Sequence, residues 1–234
     1  MTVLTRAVIE ARSLEKVYRR GPEEIHALRG VDVSVAAGEV VALVGPSGSG
    51  KTTLLNVLVG WEAADSGELD WGGKAYMGRA QRLAWSELAI VPQSLGLIAE
   101  LSVRENVELA LRLAGAGREP GPVEELLELL GLAPLAGRLP AETSLGEQQR
   151  TALARALVLG PRLLLADEPT SHQDGAWTRG VLGVLRRATE AGTACLLATH
   201  HRATVRYADR VLAMRDGAVS QVDAADLALE EDDL

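Results

Sequence analysis

The segment that restricts the fold most is residues 45–52, which read Gly-Pro-Ser-Gly-Ser-Gly-Lys-Thr. It follows a short apolar run at residues 40–44 and precedes an apolar stretch with helical spacing at residues 54–59. A glycine-rich loop that ends in Lys-Thr between a strand and a helix is the arrangement of a phosphate-binding loop. The sequence therefore predicts a strand-loop-helix unit of an α/β fold.

The residue types in this loop suit a bound triphosphate. Glycines let the backbone curl around a phosphate without Cβ clashes, and the N–H groups at a helix N-terminus present partial positive charge. Lys51 is placed to reach the β- and γ-phosphates, and Thr52 to bind Mg²⁺. The predicted nucleotide-binding residues of the loop are Gly45, Pro46, Ser47, Gly48, Ser49, Gly50, Lys51, Thr52 and Thr53.

Short apolar runs alternate with helical stretches along the chain, which favours a largely parallel sheet. Buried strands are predicted at residues 40–44, 88–91, 163–166 and 195–199. Residues 8–39, 67–76 and 210–222 have the alternation and glycine turns typical of antiparallel strands at the edges, and Asp216-Gly217 in the last of them indicates a hairpin. Ligands are expected at the C-terminal ends of the parallel strands.

Residues 101–159 contain no strand pattern, and one helix is predicted there between Pro122 and Gly131. Another is predicted to follow Asp174 and to end at Gly192. A chain of 234 residues without an internal repeat is expected to form one domain. We predict a core with antiparallel β parts at residues 1–93 and 161–234, and a helical sub-lobe at residues 94–160.

Composition argues against several classes of protein. No apolar run approaches the roughly 20 residues that cross a bilayer, and the first ten residues do not resemble a signal peptide, so a cytoplasmic location is expected. A formal net charge of −8 argues against a nucleic-acid partner. Cys195 lies in an apolar run, which favours a buried thiol over a nucleophile or a metal ligand.

Two acidic residues, Asp167 and Glu168, end the predicted strand at residues 163–166. Alone, an apolar run that ends in Asp-Glu is as often a helix cap or a turn. Downstream of a phosphate loop, however, Asp167 is placed to hold Mg²⁺ directly or through water. Glu168 is then placed to orient or deprotonate the attacking water.

The motifs and their order resemble those of the ATP-binding cassette (ABC) ATPases over nearly the whole chain. After the phosphate loop, the matching stretches are residues 144–150 (Ser-Leu-Gly-Glu-Gln-Gln-Arg), residues 167–171 (Asp-Glu-Pro-Thr-Ser) with Asp174, and Thr199-His200. The resemblance implies a P-loop NTPase fold with a RecA-like parallel-sheet core, an antiparallel β sub-lobe and an α-helical sub-lobe. It also implies ATP and Mg²⁺ as ligands, and ATP sandwiched between two cassettes arranged head to tail, so a homodimer is expected.

The resemblance also assigns roles to single residues. Tyr18 resembles the aromatic residue that stacks on adenine, and its alternative is a packing tyrosine at a strand end. Gln93 resembles the glutamine that senses Mg²⁺ and water and links the site to the helical lobe. His200 resembles the histidine that contacts the γ-phosphate, with His201 as its competitor.

The resemblance implies that a second group of residues acts across the dimer. Ser144, Gly146 and Glu147 are expected at the partner's nucleotide, and Asp174 falls where the family has a subunit-contact aspartate beside it. Ser144 and Glu147 also form the pattern of a capping box, which would start a helix in any protein.

Leu145 departs from the family, which usually has glycine there, so we expect bulk at the dimer seam and, at positive φ, backbone strain. Hydrolysis is therefore expected to be slow, and replacement of Leu145 by glycine to raise it several-fold.

Within the family, the chain looks most like the lipoprotein-release, cell-division and macrolide or peptide export branch, although residues 60–62 (Gly-Trp-Glu) also depart from it. Such subunits power a separate integral membrane permease, which would hold the chain at the inner face of the membrane. The permease is expected near residues 94–105, where Leu95, Leu97, Ile98 and Leu101 either meet it or pack the lobe. Alternatives are a slowly hydrolysing regulatory or asymmetric partner and a soluble ABC ATPase outside transport.

Overall fold

The computed structural model describes residues 7–75, 84, 86–115 and 120–225. The predicted β segment that ends at Tyr76 lies partly outside these ranges, and the predicted limits at residues 1–93, 94–160 and 161–234 also include residues outside them. The sequence also predicts an acidic, solvated tail at residues 230–233, which lies outside the described residues. No helix within the described ranges is long and apolar enough to span a membrane.

The described residues form two β-sheets and six α-helices. The strands are β1 (Ala7–Arg20), β2 (Glu23–Ala36), β3 (Val40–Val44), β4 (Ser66–Trp71), β5 (Lys74–Ala75), β6 (Leu88–Val91), β7 (Leu163–Asp167), β8 (Ala194–Ala198), β9 (Arg210–Arg215) and β10 (Ala218–Val222). The helices are α1 (Lys51–Val59), α2 (Val103–Leu113), α3 (Pro120–Leu129), α4 (Leu145–Leu157), α5 (Gly175–Glu190) and α6 (Arg202–Tyr207).

The larger sheet has the strand order β10-β9-β3-β8-β7-β6 and is parallel except for β10. Every residue of β3, β7 and β8 is buried, which explains their continuous apolar sequences. All four predicted strands are present, with small shifts at the ends of β7 and β8, but β6 is buried only at Ala89 and Val91. Because the strands are parallel, the loops after β3, β6, β7 and β8 emerge at one edge of the sheet.

Alternate residues of the parallel strands face two separate cores. On β7, Leu164 packs with helices α2 to α5, whereas Leu163 and Leu165 pack with α1 and the smaller sheet. Cys195 lies on β8 in the first of these cores, and its burial raises its pKa to about 12. The prediction of a buried thiol is therefore confirmed.

The smaller sheet is antiparallel, with the order β2-β1-β4-β5, and its apolar face covers α1. The long hairpin of β1 and β2 pairs Tyr18 with Ile25 near its tip. At the β10 edge of the parallel sheet, the predicted Asp216-Gly217 hairpin joins β9 to β10 and lies next to β2, where its Gly217 carbonyl accepts from the N–H of Arg29 at 2.8 Å.

In the described residues between β6 and β7, the regular elements are α2, α3, α4 and two short 3₁₀ turns. Helix α3 begins at Pro120, two residues before the predicted Pro122. Helix α5 begins after its N-cap Asp174, and Gly192 adopts φ +104° just beyond its end, as predicted. The division into a core and a helical sub-lobe stays a prediction.

Candidate nucleotide-binding site

A cavity of about 950 Å³ opens at the C-terminal edge of the parallel sheet. Its lining brings together residues that lie far apart in the sequence. The predicted site residues that line it are Tyr18, Gly45, Pro46, Ser47, Gly48, Gly50, Lys51, Thr52, Thr53, Gln93, Asp167, Glu168 and His200. Ser49 is part of the same loop but is buried.

The loop before α1 requires glycine because other backbone passes against it. Gly50 is the N-cap of α1 with φ +110°, and a Cβ there would lie 2.3 Å from the carbonyl oxygen of Ala27. Lys51 folds back over the loop and donates hydrogen bonds to the carbonyl oxygens of Gly45 at 2.7 Å and Pro46 at 2.9 Å. The N-terminus of α1 and a cation thus face the same cavity, which suits a polyphosphate.

Desolvation shifts the pKa values of the charged groups of the site in opposite directions. Burial lowers the pKa of Lys51, and the nearby carboxylates of Glu168 and Asp167 counteract this shift. Burial raises the pKa of Asp167, and the hydrogen bond from Thr52 works against that rise. Both charges are therefore less stable in the protein alone than they would be beside a ligand of opposite charge.

Thr52 and Asp167 present oxygen atoms side by side: the Thr52 hydroxyl donates to Asp167 Oδ2 at 2.8 Å. The amide of Gln93 lines the same cavity from the end of β6. Hydroxyl, carboxylate and amide oxygens are the donors that Mg²⁺ takes from proteins. These three residues therefore fit a magnesium site.

Glu168 is held in an unusual backbone conformation, with φ +54°. Its Oε1 lies 2.7 Å from Nδ1 of His200, a hydrogen bond in which an ionised carboxylate can only accept. Its Oε2 is buried and has no hydrogen-bond partner among the described residues. One carboxylate oxygen is thus oriented by histidine, while the other is a buried acceptor whose hydrogen-bonding capacity is not used by the described residues.

The positions of His200 and His201 distinguish which of the two histidines faces the cavity. His200 lines the cavity with 61% of its side chain exposed, whereas Nδ1 of His201 is buried. The geometry favours His200 as the residue that faces a ligand.

Tyr18 reaches the cavity from the end of β1, and its hydroxyl donates to the carboxylate of Glu62. Asn56 on α1 donates to the other oxygen of Glu62 at 2.8 Å. Burial and the hydrogen bond to Glu62 raise the pKa of Tyr18, so the phenol keeps its proton. Sequence analysis did not assign Glu62 a role, although the unusual sequence at residues 60–62 marked this turn.

Ser144, Gly146, Glu147 and Asp174 do not line this cavity. They start two helices elsewhere on the chain. Ser144 and Glu147 form the predicted capping box of α4, with hydrogen bonds of 3.3 and 2.7 Å. Asp174 caps α5 by accepting from the N–H groups of Ala176 and Trp177.

Backbone strain at Leu145 is expected only for a positive φ, and this condition is not met. Leu145 is the first residue of α4 and has no positive φ, so the position does not need glycine's conformational freedom. Its side chain is 47% exposed. The expected bulk at a dimer seam stays a prediction.

Comparison with known proteins identifies the architecture. A profile described as ABC transporter matches residues 28–171. The lipoprotein-releasing system ATP-binding protein LolD 2 of Caulobacter vibrioides is 42% identical over 217 residues, which cover 90% of this chain and 95% of that protein. The macrolide export ATP-binding/permease protein MacB of Neisseria meningitidis is 34% identical over 219 residues, which cover 91% of this chain and 34% of that protein.

A solved structure shares the fold. The ATP-binding cassette MJ0796, dimeric in a post-hydrolysis state with ADP and Pi, has a TM-score of 0.85 and 30% identity, with coverage of 92% of this chain and 98% of that one. The resemblance seen in the motifs is confirmed, and the relatives include proteins of the predicted branch. The chain therefore belongs to the ABC transporter family and is one of its ATP-binding, ATP-hydrolysing subunits.

Proposed function

We propose that the chain binds Mg-ATP in the cavity at the sheet edge, hydrolyses it as a head-to-tail homodimer, and drives a separate membrane permease in export or mechanotransmission. The observation that carries this proposal is the convergence of Lys51, Thr52, Asp167, Glu168 and His200 around one cavity. These residues lie at or beyond the C-terminal ends of three parallel strands, and together they match what phosphoryl transfer to water requires.

Binding follows from the positions of the polar groups. The N-terminus of α1 and Lys51 bind the β- and γ-phosphates, and the ring of Tyr18 stacks on the adenine. Thr52, Asp167 and Gln93 would hold Mg²⁺, which neutralises phosphate charge when bound. Lys51 then exchanges its bonds to the loop carbonyls for bonds to phosphate oxygens.

Hydrolysis needs an acceptor for a proton from the attacking water. Glu168 lines the cavity and can supply it, because its Oε2 has no hydrogen-bond partner among the described residues. His200 holds Oε1 and keeps the carboxylate in one orientation. We infer that Glu168 orients and deprotonates water and that His200 positions Glu168 and meets the γ-phosphate.

A second copy completes the site. The N-terminus of α4, with Ser144, Gly146 and Glu147, lies outside the cavity of its own chain, and so does Asp174. In a head-to-tail pair these groups would face the partner's ATP, where the N–H groups of a helix N-terminus stabilise the γ-phosphate. The dimeric state of the cassette MJ0796 supports this arrangement.

The permease has a suitable docking place in a groove of about 340 Å³ beside the loop after β6. Trp61, Ile98 and Leu113 line this groove and are 58%, 41% and 57% exposed. Large apolar side chains grouped in an exposed groove are typical of a protein-binding site. Leu95 and Leu97 instead pack the helical core. We infer that this groove holds the chain at the inner face of the membrane through the permease.

The proposal is tested with Ile98→Glu/Leu113→Glu and with Leu139→Glu as control, since Leu139 is 40% exposed outside the groove. Each variant is co-expressed with a candidate permease, the integral membrane protein that co-purifies with the parent chain. Basal ATP hydrolysis is expected to stay within about twofold in all of them, because the groove residues do not line the nucleotide cavity. Only the groove variant should lose co-purification and stimulation of hydrolysis by the permease in liposomes. Unchanged co-purification of the groove variant would contradict the docking site.

A further inference from the structure

The segment that follows Glu168 is tied to the start of α4 through one side chain, Gln173. Its Nε2 donates to the carbonyl oxygen of Gly146 at 2.9 Å and to Oε1 of Gln149 at 3.2 Å. Its Oε1 accepts from Nη1 of Arg150 at 2.6 Å. Both ends of the amide are therefore engaged by α4, and the donor-only guanidinium fixes which end is the oxygen.

Arg150 is itself held from two other elements. Its Nε donates to the carbonyl oxygen of Leu130 at 2.9 Å, next to the end of α3, and its guanidinium lies 4.1 Å from the ring centroid of Trp177 on α5. Only 5% of Arg150 is exposed. Because these contacts leave the guanidinium little freedom, Gln173 is bound to a fixed partner.

The backbones approach closely at the same place. A Cβ on Gly146 would lie 2.7 Å from the carbonyl oxygen of His172. Gln149 donates to the carbonyl oxygen of Glu168 and, at 3.0 Å, to the hydroxyl of Ser171. The first turn of α4 and residues 168–173 thus form one packed unit that is continuous with the backbone of Glu168.

We propose that Gln173 is a positioning residue that fixes the first turn of α4 relative to Asp174 and Glu168 of the same chain. The inference rests on the proposed head-to-tail dimer, because α4 and Asp174 act on the partner's ATP only there. With Gln173 in place, the surface offered to the partner is ordered before the two chains meet. Without it, that ordering is added to the free-energy cost of every closure of the dimer.

The test replaces Gln173 by methionine, which matches its length but forms none of these hydrogen bonds. In the otherwise wild-type chain, we expect kcat for ATP to fall about tenfold, on the scale of the cost of ordering one side chain at an interface, with the Kd of the monomer for ATP within about twofold. In the Glu168→Gln background, the ATP concentration for half-maximal dimer should rise about tenfold. Gln221→Met, at an exposed position on β10, is the control and should change neither quantity.

A second substitution separates positioning from stability. Gln173→Glu still accepts from Arg150 but places a carboxylate oxygen against the carbonyl of Gly146. We expect it to recover most of any thermal stability lost with methionine while kcat and dimer formation stay impaired. If the methionine variant is unfolded at the assay temperature, Gln173→Asn takes its place with the same expectations, because its amide is one methylene too short to reach Gly146.

The outcomes are distinct. Dimer formation and kcat of Gln173→Met equal to those of the parent chains would overturn the positioning role alone. Recovery of kcat by Gln173→Glu in step with thermal stability would also overturn it, since a structural bond to Arg150 would then suffice. Failure of Glu168→Gln to dimerise with ATP would overturn both this inference and the proposed function.

Discussion

The hydroxyl of Tyr18 is held by Glu62, a residue 44 positions away in the sequence. We predict that Tyr18→Ala weakens ATP binding by about 1–3 kcal/mol, the usual worth of stacking on a base, and that GTP is affected similarly. Glu62→Ala should cost about 1 kcal/mol, since it removes one hydrogen bond that orients the ring. Titration with fluorescent ATP and GTP analogues measures both changes.

The double variant decides whether Glu62 acts through Tyr18. If it does, Glu62→Ala should have little further effect once Tyr18 is alanine, because the two side chains form one coupled unit. Fully additive losses of affinity would show that Glu62 acts on the nucleotide independently of the ring.

The remaining hypothesis from the sequence is that the bulk of Leu145 slows ATP hydrolysis. Because its backbone is helical, alanine is a better test than glycine: it removes the exposed bulk without weakening the start of α4. We predict that Leu145→Ala raises ATP hydrolysis by the homodimer several-fold and leaves the Kd of the monomer for ATP unchanged. An unchanged rate in a coupled phosphate-release assay would remove the sequence support for a slow, asymmetric partner.

At the scale of elements, the sequence predicted the buried strands and the helix starts well because their signals are local. The apolar run at residues 163–166 and the capping pair Ser144 and Glu147 each specify their own element. The roles of Glu62 and Gln173 could not be read in this way. Each contacts residues that only the fold brings near, and the neighbouring sequence does not indicate which residues these are.

The end of α3 provides an element-scale prediction. Gly131 follows the helix with φ +65°, and a Cβ there would lie 1.8 Å from the ring of Trp177. Gly131→Ala should therefore lower the free energy of unfolding by about 1–2 kcal/mol from backbone strain and about 1–3 kcal/mol from the overlap. Urea denaturation measures this loss.

Gly137→Ala is the matched control, because that glycine has no positive φ and a Cβ there meets nothing within 4 Å. Its free energy of unfolding should stay within about 0.5 kcal/mol of the parent chain. Equal effects of the two alanines would show that α3 does not pack on α5 at Gly131 as described.

At the scale of the whole molecule, one parallel sheet explains why distant motifs form a single site. The loops after β3, β6, β7 and β8 meet at its C-terminal edge, so Lys51, Gln93, Asp167, Glu168 and His200 converge without any local signal that links them. The residues that start α4 do not line this cavity, and the order of motifs alone does not reveal that separation. It is the reason why the chain is expected to work only as a pair.

The behaviour of Glu168→Gln tests this account most directly. The neutral amide still fits beside the phosphate loop but cannot accept a proton from water, so ATP should bind, hydrolysis should fall by roughly 10² or more, and the chains should stay paired. Size-exclusion chromatography with Mg²⁺ is expected to give a dimer with ATP and a monomer with ADP. Glu128→Gln, an exposed change on α3, serves as control and should hydrolyse ATP at the parent rate. A Glu168→Gln chain that stays monomeric with ATP, or turns over near the parent rate, would contradict the account.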